Sequence, residues 1–481
     1  MRRVIAMILS GMLLVTGLLG CGRPNNDKLV SQKPTQAVAT QESQMDEVNV
    51  EDEVMAEPET EDSQLGLGNN QDPNTIIVFG GPYDIKNILD TYKELHPDFP
   101  YEFNYKTYGP NQQDPEGDEF ELIKGNASYA PDLFLINSVN MPRFTANNNI
   151  EYFCPYEELG LDIISLVKNA EIEEYSLRYG TRQDGKLYGL AYYNSAGVFY
   201  YRRSIAKAVW GTDNSTEIQK KIGGSWDNFL LAAEDLKRMG YAIVSGYDDL
   251  WEQFADSSEK SWLVNGRLYI DPKREAFMDF AKTMRANGYD SKTKQWTDSW
   301  INNMKSDGKV LGYFGPWWFG PFTLEPNSGG YKVGNGTYGD WAVCKPTVNF
   351  YEPDYFLLVN DRSNKKKAIA EIINWMYFDT SETGLQSILA NDKMTPCSSA
   401  RVLKQADGTD DFLAGQDPYK LYADLSKEGS MENVSKYDES FGDFWLEQVE
   451  YYVNGKKSKE QAIADFKKEV KDYCEGEIPV E

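Results

Sequence analysis

His96 is the only histidine in this chain of 481 residues, which removes much of the chemistry a protein of this size could offer. An HExxH zinc site needs two histidines, and a Ser-His-Asp triad would have to use this one, in the phrase KELHPDF. No GxxxxGK[ST] phosphate loop is present, and no dinucleotide fingerprint follows the first strand-like run. Four of the five cysteines, Cys154, Cys344, Cys397 and Cys474, lie far apart and none is in a CxxC arrangement. They read as free thiols or structural pairs, with the connectivity open. Carboxylates remain, and 75 Asp and Glu could always supply a pair for glycoside hydrolysis. None stands out from that background. The acidic runs at Asp114, Glu116, Asp118, Glu119 and Glu121, and at Asp407, Asp410 and Asp411, do not fit an EF-hand loop and read as solvated turns. No catalytic residue, metal or cofactor is expected.

Aromatic side chains are the chemistry that does stand out: 11 Trp, 31 Tyr and 22 Phe. Several cluster beside Gly, Pro or Asn, where loops are expected. These are Tyr192-Tyr193-Asn194, Tyr247 with Trp251, Phe314-Gly315-Pro316-Trp317-Trp318-Phe319, and Phe444-Trp445. The flat C–H face of a sugar ring sits well on an aromatic ring, and its hydroxyls need polar partners because buried polar groups must be satisfied. A cleft lined by Trp and Tyr with a few amides therefore suits saccharides. The competing reading is that these aromatics fill cores. The pair Trp317-Trp318 resists it, because adjacent side chains on a strand point opposite ways and Gly315-Pro316 interrupts the element before them.

Elements that could position such a cleft follow an alternating pattern. Residues 76–79 form a short buried strand ending in Gly80-Gly81-Pro82. Ile85, Ile88, Leu89, Tyr92 and Leu95 then recur at helical spacing over 84–95. Residues 101–108 alternate like a strand, 120–124 read as helix, and 133–136 as another buried strand. Strand, helix, strand, helix, strand implies a parallel sheet covered by helices. A long helix is expected over 226–239, and Ser458 with Gln461 forms a capping box opening a last helix. The expected fold class is α/β in two lobes.

The first 75 residues are different. Arg2 and Arg3 precede a 16-residue mainly apolar run at 4–19, too short for a spanning helix and typical of a secretory signal. Leu18-Leu19-Gly20-Cys21 resembles a bacterial lipobox, with Cys21 as the lipidated residue after cleavage of 1–20. Residues 23–75 have no Phe, Tyr or Trp and carry twelve acids against three bases. That composition predicts a disordered acidic linker over 21–75. Across the chain 75 acids face 49 bases, a net charge of −26. This balance disfavours nucleic acid and electrostatic docking to anionic lipid.

From residue 75 onward the chain resembles the extracellular solute-binding lipoproteins of ABC importers, in the sugar-binding, maltodextrin-binding-protein-like group. Asp184-Gly185-Lys186-Leu187-Tyr188-Gly189-Leu190 followed by Gly197-Val198-Phe199-Tyr200-Tyr201 is similar to the family's "DGKxYGxP … GxxYN" passage. Ala191 replaces the usual Pro and Tyr201 the usual Asn. Ala130-Pro131-Asp132 resembles its "xPD" strand start, and Ser225-Trp226-Asp227-Asn228-Phe229 its "TWDEF" helix start. The resemblance points to Trp317, Tyr247 and Trp445 as sugar-stacking rings, with Trp318 and Trp251 beside them. Asn137 and Ser138, after the third strand, occupy the place of a polar sugar contact. Tyr83, and Tyr193 with Asn194 at the first crossover, are candidates by position.

What the resemblance implies is a periplasmic-binding-protein-like clamp, two lobes with parallel-rich sheets joined by hinge segments. Lobe 1 is expected over 76–190 and 305–350, and lobe 2 over 191–304 and 351–481. The implied function is capture of a carbohydrate, in particular an oligosaccharide, between the lobes by a monomer that delivers it to ABC transporter permease subunits. Its place would be outside the cytoplasmic membrane, held by a lipid anchor, as on the surface of a Gram-positive cell. The alternatives are a same-fold binder of a peptide or organic acid, and a surface glycan hydrolase.

Overall fold

A computed structural model describes residues 73–80, 84–106, 131–138, 141, 151–182, 184–194, 196–352, 355–392, 395–428 and 434–480. Cys21, the signal and linker segments, Tyr83, the 120–124 helix and the acidic run at 114–121 lie outside them. No helix among the described residues is long and apolar enough to cross a membrane.

The first sheet begins where the sequence turns apolar. β1 (Thr75–Gly80) pairs in parallel with β2 (Glu102–Lys106) and with β3 (Leu133–Asn137). The helix Asp84–Leu95 joins β1 to β2 and buries Ile85, Ile88, Leu89 and Tyr92, the apolar stripe of its 3.6-residue period. Asp132 explains the strand-start motif. Its carboxylate accepts from the Ile77 amide at 2.9 Å and the Ser363 hydroxyl at 2.6 Å, and pairs with the Lys365 ammonium at 2.9 Å. One buried side chain thereby ties β1, β3 and a segment more than 200 residues away. That segment follows β9 (Tyr355–Val359), which closes the sheet antiparallel to β3, in the order β2-β1-β3-β9.

The second sheet is antiparallel. β4 (Val198–Arg202) is flanked by β7 (Gly312–Gly315) and β8 (Trp341–Cys344). Between them in sequence, β5 (Leu263–Val264) and β6 (Arg267–Leu268) form a small hairpin. The expectation of parallel strands in both lobes therefore holds for the first sheet. In the second, parallel pairing is confined to single bridges at Ala242–Val310 and Val244–Asp290. Side chains of the second sheet alternate between two apolar cores, as a strand's period of two requires. Val198, Tyr200, Tyr313, Trp341 and Val343 enter the core continuous with the first sheet. Phe199, Tyr201, Phe314, Ala342 and Cys344 enter a second core, built by the helices Trp226–Arg238, Pro272–Asn287, Asp438–Val453 and Lys459–Tyr473.

This pairing differs from the lobe boundaries expected above. β7 and β8 lie within 305–350 but pair with β4, and β9 lies within 351–481 but pairs with β3. The reason is long-range: each strand joins a sheet whose other members are far away in sequence, and nothing local in a buried strand records its partner.

Local signals elsewhere match the elements they mark. Ser225 caps the helix Trp226–Arg238 by accepting from the Asn228 amide at 3.2 Å, and Ser458 does the same from the Gln461 amide at 3.2 Å. In the Asp184–Gly189 passage, Asp184 accepts from the Lys186 amide at 3.1 Å and the Tyr188 hydroxyl at 2.8 Å, folding a tight turn with Gly185 at φ +78°. Cys154, Cys344, Cys397 and Cys474 are all free thiols.

Candidate functional site

Elements of the two cores face each other across a concavity. On the first-core side stands the short helix Glu174–Gly180, with Tyr175 and Tyr179. Tyr175 stacks on Tyr351, ring centroids 4.7 Å apart and planes within 13°. The Tyr179 hydroxyl donates to the Ser138 carbonyl, which fixes the residue after β3 against this wall. On the second-core side are the helix Trp251–Asp256 and the first turns of the helix Asp438–Val453.

The chemistry of this concavity is dominated by carboxylates. Glu252 and Asp256 lie one turn apart on a single helix face, and Glu352, Asp438 and Asp443 converge on them. Glu252, Glu352 and Asp443 are exposed to solvent, Asp256 and Asp438 half-buried. Yet protein surrounds the group closely enough that burial governs its titration. Burial pushes the Asp256 and Glu352 carboxyls up to about 7 and Asp438 up to about 6. Glu252 is also raised well above the usual range, first by burial and then by the charges of Asp256, Glu352, Asp438 and Asp443. Solvent access combined with this degree of enclosure describes a recess between the two cores. Asp256 is held in place by the Tyr351 amide, which donates to it at 2.7 Å, and Asp438 by the Ser435 amide and hydroxyl at 2.7 and 2.9 Å. The Arg274 guanidinium is the cation within reach of both, and it lowers the Asp256 and Asp438 carboxyls against the effect of burial. It is 2% exposed, lies 4.2 Å over the Trp262 ring and donates to the Lys260 carbonyl at 2.9 Å.

The sequence-predicted residues fall into separate groups. Asn137 ends β3 half-buried, and buried Ser138 follows it at the first-core wall. Trp251 adjoins Glu252 and packs on Phe277 at 5.3 Å. Gly442 lies behind it, where an added Cβ would meet only the Trp251 indole nitrogen, at 3.7 Å. Tyr247, buried, lies under the Arg285 guanidinium at 4.9 Å. Trp445 is 0% exposed and packs against Phe466 at 5.0 Å and Trp262 at 6.1 Å. As placed, its ring is a core element, and its indole N–H has no hydrogen-bond partner.

Trp317 and Tyr193 meet elsewhere, with ring centroids 4.8 Å apart. Trp317 lines a separate, small crevice together with Tyr200, Asp410, Phe412, Tyr419 and Tyr422. Asn194 is buried, its amide donating to the Ser426 hydroxyl at 2.6 Å and its carbonyl accepting from the Ala196 amide at 3.0 Å. It orders the crossover segment from within. Trp318 is half-buried beside Trp296.

Sequence reasoning missed Glu252, Asp256, Glu352, Asp438, Tyr175 and Tyr179. The available signal was the i, i+4 spacing of Glu252 and Asp256 directly after Trp251, which a chain with 75 acids conceals. Asp407 accepts from the Thr409 amide in an exposed turn, whereas Asp410, which accepts from the Phe412 amide, is half-buried and burial raises its carboxyl.

No protein-family model matches the chain, and no curated protein matches it. Solved structures do. A crystal structure described as extracellular solute-binding protein family 1 superposes with a TM-score of 0.67 at 15% identity, covering 82% of this chain and 98% of that one. The sugar-binding protein MalE of Xanthomonas citri gives 0.62 at 14%, covering 83% and 96%. The galacto-N-biose-/lacto-N-biose I-binding protein of the Bifidobacterium longum ABC transporter, in complex with lacto-N-biose, gives 0.59 at 15%, covering 85% and 98%. Identity this low speaks for architecture alone, and on that ground the chain has the two-lobed, periplasmic-binding-protein-like α/β fold of the extracellular solute-binding proteins.

Proposed function

We propose that this protein captures a carbohydrate in the concavity between its two cores and hands it to the permease subunits of an ABC transporter. The observation that carries the reading is the concavity itself: hydrogen-bond acceptors and stacked aromatics converge from both sides of a fold shared with sugar-bound proteins. Carboxylates are strong acceptors for sugar hydroxyls; Tyr175, Tyr179, Tyr351 and Trp251 are buried behind them and present only a small part of each ring. Those solved relatives include complexes with β-1,6-galactobiose, lacto-N-biose, acarbose and maltose. The ligand here would bridge Glu252, Asp256 and Asp438 on one side and the 174–180 helix on the other, so binding would favour the closed arrangement. The protein acts as a monomer, without catalysis, outside the cytoplasmic membrane, and Cys21 carries its lipid anchor.

Titrating the full chain with a panel of mono- and oligosaccharides while following tryptophan fluorescence tests this. A saturable change with one glycan class, and no consumption of that glycan, supports the proposal; appearance of shorter sugars would mean a hydrolase. A second reading is favoured by one feature, the excess of carboxylates over Arg274 in the concavity, which suits a solute carrying positive charge. Silence toward neutral sugars with a saturable response to spermidine or a lysine-rich peptide would select it.

A further inference from the structure

Trp296 combines two properties seldom found together. Its backbone is left-handed, at φ +64°, and its side chain is 49% exposed. A bulky residue in that region is a true outlier, because its Cβ crowds the backbone. Strain of this kind persists only where the surroundings enforce it. Here they do: Asp248 accepts from the Gln295 amide at 2.9 Å, the Thr297 hydroxyl donates to the Lys294 carbonyl at 2.7 Å, and Lys294 pairs with Glu450 at 3.2 Å. Lys292, in the same loop, is also left-handed. The result is an indole held out of the core, parallel within 19° to Trp318 with centroids 6.3 Å apart, and backed by Trp300 at 5.1 Å. Trp300 is in turn fixed by its N–H donating to Asp249 at 2.7 Å.

The loop carrying Trp296 is bonded to the elements that carry the carboxylates of the concavity. Asp248 and Asp249 belong to the turn Tyr247–Leu250 that runs directly into the helix carrying Glu252 and Asp256, and Lys294 lies close enough to Asp443 to lower its carboxyl against burial. We infer that Trp296 and Trp318 form a rim platform that stacks on a sugar ring beyond those held in the concavity, extending the site to longer oligosaccharides. The inference rests on the saccharide reading above. A tryptophan serving only to fill space would not need a strained backbone to keep half its surface in water, whereas a rigid exposed indole loses little entropy when a ring settles on it.

Calorimetric titration of the full chain with disaccharide–tetrasaccharide pairs tests it: maltose with maltotetraose, lacto-N-biose with lacto-N-tetraose, and β-1,6-galactobiose with its tetramer. In the pair that binds, the tetrasaccharide should bind more tightly than the disaccharide. Trp296→Gly and Trp318→Ala should each remove that advantage, by about 5–100-fold, and Trp296→Gly should leave disaccharide affinity within about twofold. Because glycine adopts φ +64° freely, Trp296→Gly should also melt above Trp296→Ala. Unchanged tetrasaccharide affinity in Trp296→Gly overturns the platform while leaving the saccharide reading intact. So does an equal loss for both members of the pair, which would mark Trp296 as a packing element. No binding by any pair overturns the saccharide reading, and the platform with it.

Discussion

Replacing Arg274 with methionine should destabilise the protein by an amount that depends on pH, and the structure fixes the direction. The guanidinium is buried over Trp262, donates to the Lys260 carbonyl and faces Asp256 and Asp438, with Asp271 also within its field. Glu252 and Glu352 stand beyond, coupled to Asp256. Losing the cation–π contact costs about 1 kcal/mol and the charged hydrogen bond about 1–2 kcal/mol, at any pH. The remaining contribution is electrostatic. Both carboxyls titrate above their unfolded values, at about 7 and about 6. An acid raised in this way favours the fold as pH falls through its folded value and opposes it as pH rises. At pH 5 both are protonated and need no countercharge. At pH 8 both are ionised, and without Arg274 they face each other uncompensated, bringing the total loss to about 4–5 kcal/mol. Urea unfolding of Arg274→Met and wild type should therefore show a gap at pH 8 larger by about 2 kcal/mol than at pH 5. Arg274→Lys, which retains the charge, should show a small loss at both. Equal losses for Arg274→Met at the two pH values would refute the clustering of these carboxylates around Arg274.

Two further outcomes follow from packing. Trp445→Ala should cost about 3–5 kcal/mol in urea unfolding, the usual result of emptying a buried Trp position; a loss of sugar affinity with unchanged stability would instead return Trp445 to the ligand surface. Gly197→Ala should cost about 1–3 kcal/mol, because its Cβ would lie 2.1 Å from the Phe350 ring; a melting temperature equal to wild type would mean that this crossover has room to spare.

Some of the molecule was legible in sequence because the information is local. The helix Asp84–Leu95 matches its expected bounds, since four buried side chains at helical spacing specify it. The caps at Ser225 and Ser458 require only a hydroxyl at the right distance from an amide. Lobe membership was not legible: β9 reads as an apolar run whether it pairs with β3 or with β4. The aromatic clusters identified interesting rings without saying which way they face. Trp445 turned inward onto Phe466, Trp317 onto Tyr193, and Trp296, in no cluster at all, was left outside by a backbone angle that composition cannot report. The carboxylates of the concavity come from three separated segments, near 252, 352 and 438, so only the folded chain assembles them.

The antiparallel pairing of β3 with β9 also sets a schedule. Leu133 lies opposite Val359, so the ribosome must add more than 200 residues after β3 before its neighbour exists. At about 5–20 residues per second that interval is roughly 10–45 s, during which an apolar strand has an open edge able to recruit another chain. The first lobe cannot mature co-translationally on its own, and a gene fragment ending before residue 355 should yield aggregates rather than half a clamp. Whatever carries the nascent polypeptide to its destination has that long to keep the edge covered.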